Sequence, residues 1–342
     1  MKPLRFAIIG VGNIAPVHAT AIKAIPDATL VAVATRREER GREFTQKFGG
    51  EWHGDYREVL KRDDVDVVTL CTPHNLHLPM TLEAAAAGKH VLCEKPLARN
   101  IAECDQMIAA CDRARVTLGV IFQFRFEPLA LKLKALVESD KLGKLIWNSA
   151  NTIWYRTDEY YASDLWRRTW DGGGGGVLIN QAIHTLDLML WLSGMPKRIS
   201  AQTRTLRHAI ETEDSALATL EYAEGRIGLV QATTAAYPGY PERLEIYGTK
   251  GGAVYHKGQG KLEWHIADPK EDGLEEAEVS SGAARPMDIT ASGHVAQFQE
   301  FAQAVREKRS PSVDGREGRK SIEVIEAIYR SAQTQTPVGL PL

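Results

Sequence analysis

The run Leu4-Arg-Phe-Ala-Ile-Ile9 leads directly into Gly10-Val-Gly12-Asn13-Ile14-Ala15. No other feature restricts the start of this chain so strongly. An apolar, strand-like run that ends in glycines and opens a helix fits G-x-G-x-x-A, the turn that cradles a dinucleotide. Gly10 makes the tight turn, and Gly12 lets backbone N–H groups approach a pyrophosphate. Asn13 and Ile14 lie in the same loop and are candidate cofactor contacts, and the small Ala15 lets helix and strand pack closely. The N-terminus of the following helix adds partial positive charge for the phosphates.

The pattern continues for about 120 residues. Strand-like runs at Arg5–Ile9, Leu30–Ala34, Val65–Cys71, His90–Cys93 and Val116–Val120 alternate with helical patterns at Pro16–Ala24, Arg37–Phe48, Tyr56–Lys61, Leu78–Ala87 and Ala102–Arg115. Gly88 stands where a left-handed helix end is wanted. Such alternation predicts a doubly wound parallel sheet built from right-handed crossovers, a Rossmann domain over residues 1–122. After Phe122 the grammar changes. A helix at Pro128–Glu138, a strand at Leu145–Trp154 and an amphipathic helix at Val177–Leu192 precede six strands: Ile199–Leu206, Ser215–Glu221, Ile227–Thr233, Leu244–Tyr247, Gly252–Tyr255 and Leu262–Ile266. This predicts an α/β domain over 123–342 with a large, mostly antiparallel open sheet. Asp268–Pro286 reads as a polar surface excursion. Helices at Val295–Lys308 and Arg319–Gln333 end the chain, the C-terminal helix packing back on the first domain.

Composition narrows the function class. The 42 basic and 44 acidic side chains give a formal charge of −2, with no cluster of Lys and Arg to bind nucleic acid or an anionic membrane. Apolar runs such as Val65–Cys71 fall far short of the roughly 20 residues a spanning helix needs. The N-terminus has no long apolar region or cleavage site, so a cytoplasmic location is expected. Four cysteines, with no C-x-x-C pair among them, predict reduced buried thiols and no metal site.

The end of the second strand bears on which dinucleotide is bound. An acidic residue there binds a ribose 2′-hydroxyl and repels a 2′-phosphate. Here Leu30–Ala34 leads into Thr35-Arg36-Arg37. A hydroxyl and two guanidiniums suit a 2′-phosphate, which favours NADP with NAD possible. The same two arginines beside Glu38 and Glu39 also fit the solvated first turn of a helix.

Three further segments carry chemistry-bearing residues. Cys71-Thr72-Pro73-His74-Asn-Leu-His77 lies at the C-terminal end of a strand, where open α/β sheets bind ligands. Glu94-Lys95-Pro96 ends another strand. A lysine there can hydrogen-bond a substrate oxygen and stabilise alkoxide character, although Lys beside Glu is also the pattern of a surface ion pair. Finally, Asp171 and five glycines precede Val177-Leu-Ile-Asn180-Gln-Ala-Ile-His184-Thr-Leu-Asp187. Asn180 and His184, four apart, share one helix face. Histidine suits proton transfer near neutral pH; a core histidine is the other reading.

Taken together, Gly10-x-Gly12-x-x-Ala15, Thr72-Pro73 with His77, Glu94-Lys95-Pro96, and the glycine run leading to His184-x-x-Asp187 resemble the glucose–fructose oxidoreductase, inositol dehydrogenase and rhizopine-catabolism (Gfo/Idh/MocA) family. The resemblance spans nearly the whole chain. It implies an NAD(P)-dependent oxidoreductase moving hydride between a nicotinamide and a CH–OH or ketone carbon of a sugar, cyclitol or sugar derivative. It also implies Lys95 and His184 as the catalytic pair, with Asn180 orienting one of them. Many members carry Asp where this chain has Asn180; the neutral amide supplies a hydrogen bond but no charge. Thr35-Arg36-Arg37 resembles the NADP-using members. The cofactor set is then Gly10, Gly12, Asn13, Ile14, Thr35, Arg36, Arg37, Thr72, Pro73, His74, His77, Glu94, Lys95, Trp166 and Arg167.

For the substrate pocket, Gln123-Phe-Arg125-Phe resembles the family stretch after the last Rossmann strand. Tyr155, Arg156 and Trp166 come from an aromatic, basic loop that can stack on sugar faces and bind hydroxyls or anions, or can simply pack. They join Lys95, Asn180 and His184 as candidate substrate contacts. A homodimer or homotetramer formed through the open sheet is expected by the same resemblance. Two other activities fit the resemblance: a lyase or glycosidase working through transient sugar oxidation, and a non-catalytic cofactor sensor.

Overall fold

The computed structural model describes residues 3–277 and 291–342 of the chain. They form two compact units, Met1–Gln123 with Ala291–Arg319, and Phe124–Thr290 with Lys320–Leu342. Among the described residues no helix is long and apolar enough to cross a membrane.

The first unit is a six-stranded parallel sheet in the order β3-β2-β1-β4-β5-β6. Its strands are β1 (Leu4–Ile9), β2 (Ala28–Ala34), β3 (Glu51–His53), β4 (Val67–Leu70), β5 (His90–Cys93) and β6 (Leu118–Val120). Five helices connect them: α1 (Ala15–Lys23), α2 (Glu38–Phe48), α3 (Tyr56–Leu60), α4 (His77–Ala86) and α5 (Ile101–Ala114). The strand order reverses between β1 and β4, and that reversal opens the crevice where doubly wound sheets take their ligands. Phe6, Ile8, Val67 and Leu92 are buried on one face and Ala7, Ile9, Val68 and Val91 on the other, which shows why the strands read as apolar runs: both sheet faces are covered. Local signals agree with the elements. The Asn100 side chain caps α5 through the Glu103 N–H at 2.9 Å, and Gly88, at φ +72°, follows α4 in the left-handed region.

Sequence reasoning missed β3. Only three residues long at the sheet edge, it carries no run of β-branched side chains. The first unit also takes in Ala291–Arg319, far along the chain from residue 122. The helix expected at Val295–Lys308 forms as α10 (Ser292–Glu307), numbered after the helices of the second unit described below, and covers the sheet of the first unit. Its Phe298, Phe301 and Ala302 enter the same core as Phe6 and Ile8. The chain thus returns to the first unit before its last helix, α11 (Gly315–Thr334), begins.

The second unit is a nine-stranded sheet in the order β14-β13-β12-β11-β7-β10-β9-β8-β15. Its strands are β7 (Leu145–Ile153), β8 (Arg198–Arg204), β9 (Ser215–Glu221), β10 (Ile227–Thr233), β11 (Arg243–Gly248), β12 (Gly251–His256), β13 (Lys261–Ile266), β14 (Gly273–Glu276) and β15 (Val338–Gly339). Only β7 and β10 pair in parallel; the other neighbours are antiparallel. Helices α6 (Pro128–Glu138), α7 (Asp158–Ser163), α8 (Trp170–Gly173) and α9 (Ile183–Ser193) complete it. Side chains alternate along the strands, so one face is buried and the other open. Ala150, Val230 and Ala218 are buried on the face where Thr152 meets Thr185 of α9. Leu217 and Ile227 stand exposed on the opposite face.

Two local differences from the sequence reading are informative. The helix expected at Val177–Leu192 opens as a π-turn, Leu178–Ala182, before α9 begins. Such turns are rare and occur often at functional sites. Of the excursion expected at Asp268–Pro286, residues through 277 include the short strand β14, and the remainder lies outside the described residues.

Candidate active site

In the first unit the phosphate loop has the geometry its glycines suggest. Gly10 takes φ +96°, and its N–H donates to the Ala34 carbonyl at 2.9 Å. A Cβ at Gly10 would lie 2.5 Å from the Cys71 carbonyl oxygen, whereas one at Gly12 would meet nothing closer than 3.9 Å. Gly10 is therefore demanded by the fold, and Gly12 keeps the space above the loop clear. Helix α1 starts without a side-chain cap at Ile14. Among the described residues, the N–H groups of Gly12, Asn13 and Ile14 have no backbone acceptor. Free donors at a helix start beside an open cradle suit the pyrophosphate of a dinucleotide.

At the end of β2, Thr35 is half-buried and Arg36 and Arg37 are exposed. The Thr35 hydroxyl oxygen accepts from the Arg37 N–H at 3.4 Å. Neither guanidinium makes a salt bridge among the described residues. The loop after β4 brings Thr72, Pro73, His74 and His77 together. His77 is fully buried, its Nδ1 2.8 Å from the Pro96 carbonyl oxygen and its Nε2 3.0 Å from that of Thr72. Burial pushes its pKa down. The ring thus braces the two loops carrying Thr72 and Lys95, so its bearing on the cofactor is through their backbone.

Glu94 is buried, while Lys95 is half-buried. Glu94 Oε2 accepts the Lys95 N–H at 3.1 Å, and Oε1 is 2.8 Å from Nε2 of His18. Nδ1 of His18 lies 2.8 Å from the Thr69 hydroxyl. Burial alone would raise the Glu94 pKa; the His18 hydrogen bond, with the charges of His18, His294 and Lys95, pulls it below the usual carboxylate range. His18, Glu94 and His294 present ligating atoms within 4.8 Å of one another. The 2.8 Å contact between His18 and Glu94 is a direct hydrogen bond, which makes the cluster a hydrogen-bonded support beneath Lys95. Sequence reasoning missed His18 and His294. The signal for His18 was present: a polar residue on the stripe of α1 shared by Ala15, Ala19 and Ile22, all fully buried.

In the second unit, Asn180 lies in the π-turn and His184 in the first turn of α9. Asn180 Nδ2 donates to the carbonyls of Gly175 and Gly176, each at 3.2 Å. That ties its amide to the glycine run. The imidazole of His184 stacks on Phe124, with centroids 4.7 Å apart and an interplanar angle of 30°. The aromatic and basic loop is a layered cluster. The Arg156 guanidinium lies over Trp154 and Tyr160, and that of Arg167 over Tyr160 and Trp166. Arg167 also pairs with Asp164 at 2.9 Å. Tyr155 meets Tyr237 edge-on and accepts from Arg207 through its hydroxyl at 3.1 Å. Arg156 is only 4% exposed, and burial pulls its pKa down.

Arg125, expected to contact substrate, is engaged by a carboxylate of its own unit. It is buried, and its guanidinium makes a two-pronged contact with Asp187, Nε to Oδ2 at 2.8 Å and Nη2 to Oδ1 at 2.7 Å. Its fork of donors is directed at a structural carboxylate. All four cysteines are free and buried; burial raises the pKa of each, which makes them poor nucleophiles.

Comparison with known proteins accords with both units. Residues 4–122 match the oxidoreductase family with an NAD-binding Rossmann fold, and residues 130–254 match the GFO/IDH/MocA C-terminal domain. The chain is 28% identical to myo-inositol 2-dehydrogenase of Thermotoga maritima, over 98% of each protein. The WlbA dehydrogenase of Bordetella pertussis, solved with NADH and UDP-GlcNAcA, is 30% identical with both chains fully covered and a TM-score of 0.86. Levoglucosan dehydrogenase, solved with NADH and levoglucosan, is 25% identical over the full length of both, with a TM-score of 0.89. With its nucleotide unit and its second unit both matched, this chain belongs to the Gfo/Idh/MocA family of oxidoreductases.

Proposed function

We propose that the chain is a dehydrogenase or reductase acting on the CH–OH or ketone carbon of a sugar, a cyclitol or a sugar derivative such as a nucleotide sugar, with NADP preferred over NAD. The observation that carries the reading is the Gly10–Ala15 cradle, with its free N–H donors and the space above Gly12. The bound nicotinamide supplies the hydride acceptor in oxidation and the donor in reduction. Relatives bound to NADH and to sugar ligands support the class of reaction and substrate.

Within this reading each residue has a distinct task. Gly12, Asn13 and Ile14 hold the pyrophosphate through their N–H groups. Thr35, Arg36 and Arg37 hold a 2′-phosphate, and the lack of salt bridges on the two guanidiniums supports that assignment. Lys95 donates a hydrogen bond to the oxygen of the reacting carbon, stabilising alkoxide character. His184 takes the hydroxyl proton in oxidation and returns it in reduction. Asn180, its amide fixed by the glycine run, orients one of this pair. Trp166 and Tyr155 offer apolar faces to a sugar ring, with Arg156 and Arg167 for its polar groups. A cytoplasmic homodimer or homotetramer, assembled through the sheet face that exposes Leu217 and Ile227, belongs to the same reading.

The test is reduction of NADP or NAD, followed at 340 nm, across a panel of inositols, anhydrosugars and uridine-diphosphate sugar acids. Turnover of at least one panel member that falls about a hundredfold or more in both Lys95→Ala and His184→Ala is the expected result. Undiminished turnover by the two variants would overturn the assignment of roles.

A further inference from the structure

Glu213 is a buried carboxylate, 3% exposed, with no cationic partner among the described residues. Burying an acid without a counter-charge is costly, so its bonds deserve an explanation. Its Oε2 accepts the Gly176 N–H at 2.8 Å, and its Oε1 accepts the Leu178 N–H at 2.9 Å. The Tyr329 hydroxyl of α11 also donates to Oε1, at 2.9 Å. Between those two amides, the Val177 N–H donates to the backbone carbonyl of the same residue at 3.0 Å. One residue therefore holds three consecutive N–H groups at the start of the segment that carries Asn180 and His184. These are the donors a helical start leaves unsatisfied, and their partial positive charge favours an anion.

The grip extends to Asn180. The Gly176 carbonyl, beyond the held N–H, accepts from both the backbone N–H and the side-chain amide of Asn180, at 3.0 and 3.2 Å. The fit leaves no room for side chains. A Cβ at Gly176 would collide with the Glu213 carbonyl, and one at Gly175 with the Tyr329 hydroxyl. The last glycines of the run are thus the surface against which the clasp closes.

We infer that Glu213, locked by Tyr329, is a positioning residue that sets the place of Asn180 and His184 for hydride-transfer chemistry. The inference rests on the reading that those two residues serve the reaction. Glu213 touches neither of their side chains; it acts through the backbone of residues 176–178 and so differs in kind from Lys95 and His184.

The experiment uses full-length Glu213→Gln and Tyr329→Phe, with Glu224→Gln, on an exposed turn, as control. Glutamine has the same shape but turns an N–H₂ toward one of the held N–H groups. Amide exchange at Gly176 and Leu178 and the ring nitrogen resonances of His184 are read by NMR. With the best-used panel substrate, kcat and the KM for NAD(P) are measured in parallel. Expected for Glu213→Gln are amide exchange about tenfold faster or more, a shifted His184 ring signal, and kcat about tenfold lower or more with KM within about twofold. Tyr329→Phe, losing one bond, should move the same readouts less, and it decides the matter if Glu213→Gln does not fold. His184 signals unmoved and kcat kept within about twofold in both variants would overturn the inference. Absence of wild-type turnover across the panel would sink the dehydrogenase reading, while the His184 signals would still report whether Glu213 positions that residue.

Discussion

Arg125 and Asp187 form a two-pronged ion pair at 2.7 and 2.8 Å, with the side chains 4% and 1% exposed. The Ser321 hydroxyl adds a third donor to the aspartate at 3.3 Å. His184-x-x-Asp187 thus joins one residue proposed for catalysis to one that anchors α9 in the second unit. Truncating either partner strands the other's charge in the interior. Asp187→Ala should cost about 3–5 kcal/mol, read as a lowered urea midpoint, whereas Arg125→Met with Asp187→Leu should recover much of the loss. A double variant as unstable as the single one would show that the charges are needed beyond mutual compensation.

The arginines after β2 give the clearest test of cofactor choice. Exposed and without salt bridges among the described residues, Arg36 and Arg37 can turn to a phosphate at little cost. Charge-assisted bonds of this kind contribute about 1.5–3 kcal/mol each. Arg36→Ala with Arg37→Ala should therefore weaken NADP binding at least tenfold or so in titration calorimetry, leaving NAD affinity nearly unchanged. Equal loss for both cofactors, or tighter binding of NAD by the wild type, would count against the 2′-phosphate assignment.

Glu213 should leave a signature in the pH dependence of stability. Burial pushes its carboxyl up to about 7, against the opposing pull of the N–H groups of Leu178 and Gly176 and the Tyr329 hydroxyl. Its pKa in the folded state lies above that in the unfolded chain. The folded state therefore holds the extra proton between roughly pH 4.5 and 7, and stability from this group falls as pH rises through that window. A shift of this size corresponds to something on the order of 3 kcal/mol. Glu213→Gln, permanently neutral, should lose this dependence. Melting curves of the two proteins that run parallel from pH 4.5 to 7.5 would show that the group ionises freely in the folded state.

How far the site could be read from the sequence followed the range of the interactions involved. The Rossmann order was legible because each βα junction is local: Gly10 turns the chain beside its own strand, and Gly88 ends its own helix. The spacing of Asn180 and His184 puts them on one face of a regular helix, but no local signal announced the π-turn that carries Asn180. The interactions that support Lys95 in the first unit and the Asn180–His184 segment in the second join distant parts of the chain. His18 meets Glu94 across 76 residues, and Glu213 meets Tyr329 across 116. No periodicity encodes such pairs. Arg125 makes the same point: its segment resembles a ligand-binding stretch, and nothing local announces its partner 62 residues downstream. The return of α10 to the first unit was obscured because its apolar stripe says that it packs, without saying on which sheet.

The pair His18–Glu94 predicts the opposite pH behaviour to Glu213. Burial would raise the Glu94 pKa, but the His18 hydrogen bond and neighbouring positive charges outweigh it and hold the carboxyl low. The stabilisation is present above the unfolded-state value of about 4.5 and is lost as pH falls through the folded value. Glu94→Gln should therefore be less stable than wild type at pH 6–7, by about 1–3 kcal/mol for a buried charge-assisted bond. That gap should begin to narrow on acidification below about pH 4.5, where the unfolded chain takes up the proton, and should close once the pH passes below the depressed folded value. Because Glu94 also accepts the Lys95 N–H, the same variant should lower kcat with whichever substrate the wild type turns over. A stability gap that persists unchanged at pH 3 would mean that glutamine disturbs the packing around His18, and that the charge on Glu94 contributes nothing.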